Sequence, residues 1–148
     1  MRLLPIIATV AAAFLVVACS NPVPPPGVTV VTPFDANRYL GTWYEIARLD
    51  HNFESGLEKV TATYSLRSDN GINVLNKGYN PARGMWQKTD GVAYFTGSPN
   101  RAALKVSFFG PFYGGYNIIA LDKEYKHALV CGRSRLFMDT FPHANHFQ

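Results

Sequence analysis

Lys59-Val60-Thr61-Ala62-Thr63-Tyr64-Ser65-Leu66-Arg67 alternates without a break. Val60, Ala62, Tyr64 and Leu66 fall on one side of an extended chain, and Thr61, Thr63, Ser65 and Arg67 on the other. A period of two in β-branched and aromatic residues marks a strand with one apolar face. The pattern returns where Leu104, Val106 and Phe108 oppose Lys105 and Ser107. Working outward, strands are expected at 43–49, 59–67, 72–79, 85–95 (kinked at Gly91), 102–109, 115–122 and 126–131. Between them lie Ser68-Asp69-Asn70-Gly71, Asn80-Pro81-Ala82-Arg83-Gly84, Gly97-Ser98-Pro99-Asn100, Gly110-Pro111 and Asp122-Lys123. These connections suit hairpins and are too short for crossover helices, so the chain is expected to be all-β, an antiparallel up-and-down meander.

One face of this meander is apolar throughout, and a single layer cannot leave it wet. Closure into a barrel buries it and removes the exposed edges. About eight strands enclose room for one small ligand. Ala62 and Asn76 are small or polar where a filled core calls for Leu or Ile, which points to a cavity. Parity assigns the lining to Val60, Ala62, Tyr64 and Leu66 on the second strand and Leu104, Val106 and Phe108 on the fifth. Ahead of the first strand, Phe34-Asp35-Ala36-Asn37-Arg38-Tyr39-Leu40 reads as a short helical turn capped by Asp35.

The 148 residues, 47% hydrophobic, 14% aromatic and 16% charged, amount to one folded domain and are the opposite of a disordered composition. The formal charge is +4, but residues 19–132 hold 11 Lys/Arg against 9 Asp/Glu, too small a difference to suggest nucleic acid as a partner.

Met1-Arg2 precedes an apolar run from Leu3 to Ala18 that ends at Ala18-Cys19-Ser20. The run is short for a membrane span and reads as a secretory leader. The Ala-Cys junction resembles the lipoprotein signal box, which implies cleavage before Cys19 and acylation of that residue; Ser20 in place of Asp is what the resemblance associates with export to the outer membrane. Each buried methylene contributes about 0.8 kcal/mol, so several acyl chains hold permanently where a single myristoyl gives only about 10⁴ M⁻¹. Asn21 to Gly27, with four prolines, forms a semi-rigid stalk. With Cys19 acylated, Cys131 has no intramolecular disulfide partner, and its setting after Ala128-Leu129-Val130 reads as a small core side chain.

Gly41-Thr42-Trp43-Tyr44-Glu45-Ile46-Ala47-Arg48 resembles the Gly-x-Trp motif that opens the first strand of lipocalins. The meander, the Asn80-Pro81 turn, Phe109-Gly110-Pro111-Phe112, Tyr116 to Asp122 and the leader extend the resemblance over residues 1–132 to bacterial outer-membrane lipoprotein lipocalins, related to apolipoprotein D. The resemblance implies that Gly41 turns the backbone at the barrel base and Trp43 plugs the closed end, and it adds Val74, Asn76 and Trp86 to the lining. It further implies a binding protein without catalysis, cofactor or metal, whose partner is a single-chain lipid such as a fatty acid or lysophospholipid, bound or transported for membrane maintenance under stress. The alternative is a structural or interaction lipoprotein with a filled barrel. The implied location is the outer membrane, with an acyl anchor and the barrel in the periplasm.

Residues 133–148 depart from the family, which continues with an eighth strand and a long helix. The strand that the resemblance implies, written in possible codons and read one base out of frame, gives Leu136 to Pro142. The resemblance therefore implies a chain truncated or frameshifted after about residue 132, seven of the eight strands present, and a barrel open along one side that is prone to pair its edges as a homodimer. The expected organisation is a signal peptide at 1–18, an acylated N-terminus and stalk at 19–33, a barrel at 34–132 and an aberrant tail at 133–148.

Other chemistry finds little support. The run Gly110 to Gly115 lacks the Lys-Ser/Thr of a phosphate loop and reads as a turn. His143 and His146 lie in the aberrant tail, and His51 with Asp50, Glu54 and Glu58 reads as a solvated rim of the cavity mouth.

Overall fold

The structure is a computed structural model that describes residues 26–50, 56–131 and 135–140. The leader, Cys19, the loop carrying His51 and Glu54, and the tail with His143 and His146 lie outside the described residues. A single turn of helix, α1 (Ala36–Tyr39), leads into β1 (Gly41–Asp50), β2 (Glu58–Leu66), β3 (Ile72–Asn80), β4 (Met85–Phe95), β5 (Ala103–Phe109), β6 (Phe112–Leu121), β7 (His127–Cys131) and β8 (Arg135–Thr140). Each strand pairs antiparallel with its neighbours in sequence, and β8 pairs with β1 to close the barrel.

Seven of these strands lie where alternation places them. The barrel open along one side is corrected: residues 135–140 occupy the closing position, with Tyr44 opposite Thr140 and Asp50 opposite Arg135 on one side, and His127 opposite Thr140 and Cys131 opposite Leu136 on the other. The reason is that a ladder is made by backbone groups. The free N–H and C=O rows of β1 and β7 accept any neighbouring segment without proline, whether or not its side chains follow the family pattern.

Local chemistry sets the entry to the barrel. The Asp35 carboxylate accepts a hydrogen bond from the Asn37 amide at 3.0 Å and caps α1. Leu40 is already extended, and Gly41, at φ +116°, makes the turn into β1 that a side chain would strain. Connections of β1–β2, β3–β4, β5–β6 and β7–β8 share one end, the mouth. The others, with α1, form the base.

The base is packed solid. Trp43, Ile118 and Val130 are fully buried. Phe34 meets Tyr39 edge-on at 5.5 Å and stacks over Tyr125 at 6.2 Å, and the Arg38 guanidinium lies 4.1 Å above the Tyr125 ring. On the outer face of β5–β7, Ser107 Oγ and both polar atoms of the Asn117 carboxamide are buried without a hydrogen-bond partner among the described residues, an exception to the usual satisfaction of interior polar groups.

Candidate ligand-binding site

Parity and register together decide what faces the interior. Ala62 lies opposite Trp43 and Asn76, Tyr64 opposite Val74, Val74 opposite Gly91, and Ala93 opposite Val106. Gly91 is required here: a Cβ would meet the Phe108 ring at 2.6 Å and the Ser107 carbonyl oxygen at 2.8 Å. The missing side chain lets Phe108 lie across the inner wall.

Two cavities follow the same strands. The lower, about 20 Å³, is lined by Phe34, Tyr39, Tyr64, Ile72, Val74, Ala93, Leu104, Val106, Tyr116 and Ile118. It holds about one water-sized body. Its floor carries a chain of phenols, with Tyr39 Oη 3.0 Å from Tyr116 Oη and Tyr116 Oη 2.7 Å from Tyr64 Oη. The upper cavity, about 270 Å³, is bounded by Leu57, Val60, Asn76, Lys77, Gly78, Gln87, Thr89, Phe108 and Phe109. One step along β3, from Val74 to Asn76, separates a chamber walled by aliphatic and aromatic side chains from one with amides and a hydroxyl.

The expected lining therefore divides. Tyr64, Val74, Leu104 and Val106 surround the lower cavity, while Val60, Asn76 and Phe108 bound the upper. Ala62, half-buried, packs against the core beside Trp43. Two residues are not brought to the interior. Leu66, at the base end of β2, is 56% exposed. Trp86 pairs with Tyr79 on the outer face, edge-on at 5.5 Å and 53% exposed. Parity counted from Asn76 opposite Thr89 would have chosen Gln87 and Thr89 instead. Tyr39, Tyr116 and Leu57 carried no local signal, since they reach the interior from a helical turn, a distant strand and a loop end.

Gly41 and Trp43 sit at the base. Trp43 Nε1 donates to the Tyr39 carbonyl oxygen at 2.8 Å, and the two rings stack at 4.5 Å. Cys131 is buried at the end of β7. The hairpin ends at the base are fastened by Asp69, which accepts from Arg67 Nε at 3.1 Å, the Tyr94 hydroxyl at 2.9 Å and the Gly71 amide at 3.0 Å. The Arg67 bond first, then those of Tyr94 and Gly71, lower the carboxyl pKa to about 2.

An eight-stranded closed meander with a Trp-plugged base and an axial cavity is the architecture of a lipocalin, and the lipocalin-like domain matches residues 34–138. The chain belongs to the lipocalin family. It is 76% identical over 138 residues to outer membrane lipoprotein Blc of Escherichia coli K12, covering 93% of this chain and 78% of the relative. It is 53% identical over 109 residues to outer membrane lipoprotein Blc of Vibrio cholerae, covering 73% and 64%. With apolipoprotein D of Rattus norvegicus the identity is 36% over 113 residues, covering 76% and 58%. Like these bacterial relatives, which are named as outer membrane lipoproteins, this is a protein of the outer membrane. Among solved structures, insecticyanin of the tobacco hornworm Manduca sexta superposes with a TM-score of 0.62 at 19% identity, covering 78% of this chain and 67% of that one. The amine binding protein of Rhodnius prolixus, in its tryptamine complex, gives 0.58 at 15% identity, covering 76% and 68%. These two share the fold.

Proposed function

We propose that this lipocalin binds single-chain lipids, fatty acids or lysophospholipids, in its barrel and moves them at the outer membrane in the service of membrane maintenance under stress. The family is one of binding proteins for small hydrophobic ligands, and that coarser assignment holds for this chain. The finer reading rests on the upper cavity of about 270 Å³, where Leu57, Val60, Phe108 and Phe109 stand beside Asn76, Gln87 and Thr89. An alkyl chain packed against Leu57, Val60 and Phe108 gains about 0.8 kcal/mol per buried methylene, while the polar end meets the amides and hydroxyl of the same cavity.

Cys19 is the acylated residue in this proposal, with the barrel in the periplasm. Acylation uses the same sulfur that any disulfide from Cys19 would need, so the two states exclude each other. The mass of the mature N-terminal peptide distinguishes them, and Cys19→Ala releases the chain from the outer-membrane fraction.

The solid base also fits a purely structural barrel, and native mass spectrometry of the purified chain separates the two readings. One co-purified single-chain lipid per barrel is expected. Empty barrels that fail to take up added lysophospholipid would establish the structural alternative.

A further inference from the structure

Four large apolar side chains stand exposed at the mouth: Met85 and Trp86 at the start of β4, 52% and 53%, and Phe109 and Phe112 flanking the β5–β6 turn, 73% and 66%. β4 and β5 are neighbouring strands, and all four side chains lie toward the same end of the barrel. Large apolar side chains exposed together at one end of a fold mark an interaction surface.

At the mouth end Lys59, Lys77, Arg83 and Lys88 have no ion-pair partner among the described residues. Apolar and aromatic tips backed by unpaired cations suit one chemistry above others, a bilayer surface containing anionic phospholipid. The tips enter the region between headgroup and acyl chain, where Trp is favoured, and the cations meet phosphate.

We infer that the open end of the barrel is a membrane-docking face, with Met85, Trp86, Phe109 and Phe112 inserted and Lys59, Lys77, Arg83 and Lys88 on the headgroups. Docking in this orientation places the cavity mouth at the source of any amphiphile. It stands independently of which ligand the cavity holds.

The chain supplies its own probe. Its two tryptophans are Trp43, fully buried at the base, and Trp86, exposed at the mouth. The full chain is reconstituted on vesicles of phosphatidylethanolamine and phosphatidylglycerol, with and without bromine on the acyl chains near the headgroup. Brominated lipid is expected to quench Trp86 emission, Trp86→Phe to abolish the quenchable component, and Phe112→Ser or Arg83→Glu to reduce quenching at least twofold. Replacing phosphatidylglycerol by phosphatidylcholine has the same expected effect. Emission unchanged by bromine overturns the proposal without any variant. So does quenching indifferent to both substitutions, or cross-linking between Phe112→Cys chains on vesicles where Trp86 is unquenched, which would make the exposed apolar side chains a contact between copies.

Discussion

Trp43 and Tyr39 are joined twice over four residues of sequence: the indole N–H donates to the Tyr39 carbonyl at 2.8 Å while the two rings stack at 4.5 Å. The helical turn is thereby fastened to the first strand, and the barrel base is closed by one side chain with no exposure at all. Trp43→Ala is expected to cost about 3–5 kcal/mol, the usual range for removing a buried aromatic. Urea unfolding at constant slope measures it.

Gly91→Ala is expected to destabilise the barrel by about 1–3 kcal/mol, because the new methyl group meets both the Phe108 ring and the Ser107 carbonyl oxygen. Adding Phe108→Ala should give a double-mutant coupling that relieves part of the loss, leaving the part due to the carbonyl. Thermal melts of the four variants in the cycle provide the comparison.

Filling the upper cavity should block ligand without unsettling the base. Asn76→Trp is expected to weaken lysophospholipid binding at least tenfold, whereas Leu66→Arg, at an exposed position outside both cavities, should leave it within about twofold. Equilibrium titrations with one lipid decide the matter.

The Asp69 carboxyl should titrate near pH 2, held down by Arg67, Tyr94 and Gly71. Its folded pKa lies below the unfolded value, so its contribution to stability is complete above about pH 3.8 and is lost as the pH falls from there to about 2. Tyr94→Phe should raise the carboxyl midpoint measured by NMR. Asp69→Asn should flatten this part of the stability profile.

Ending the chain after Cys131 should leave β1 and β7 as open edges and forfeit a set of ladder bonds, each contributing a net ~0.5–1.5 kcal/mol. Weaker lipid binding, by at least tenfold, and a scattering mass that grows with concentration are expected. Equal affinity and a constant mass would show that closure by residues 135–140 has no part in binding.

Local information determined the strands and their apolar faces, through the alternation of Val60 to Leu66 and of Leu104 to Phe108, and the cap at Asp35, whereas the place of Gly41 came from the family motif. The strands and the cap depend on backbone period and on groups a few residues apart. Register is not local. The pairing of Tyr79 with Trp86 turned that indole outward and brought Gln87 and Thr89 in, and the end of the barrel left Leu66 in solvent despite its parity. The phenols of Tyr39, Tyr64 and Tyr116 meet only because closure brings distant segments onto one floor. Closure itself was decided in three dimensions. The side chains at 135–140 give no reading as a lipocalin strand, yet two unpaired edges present hydrogen-bonding rows that a backbone can satisfy whatever side chains it carries.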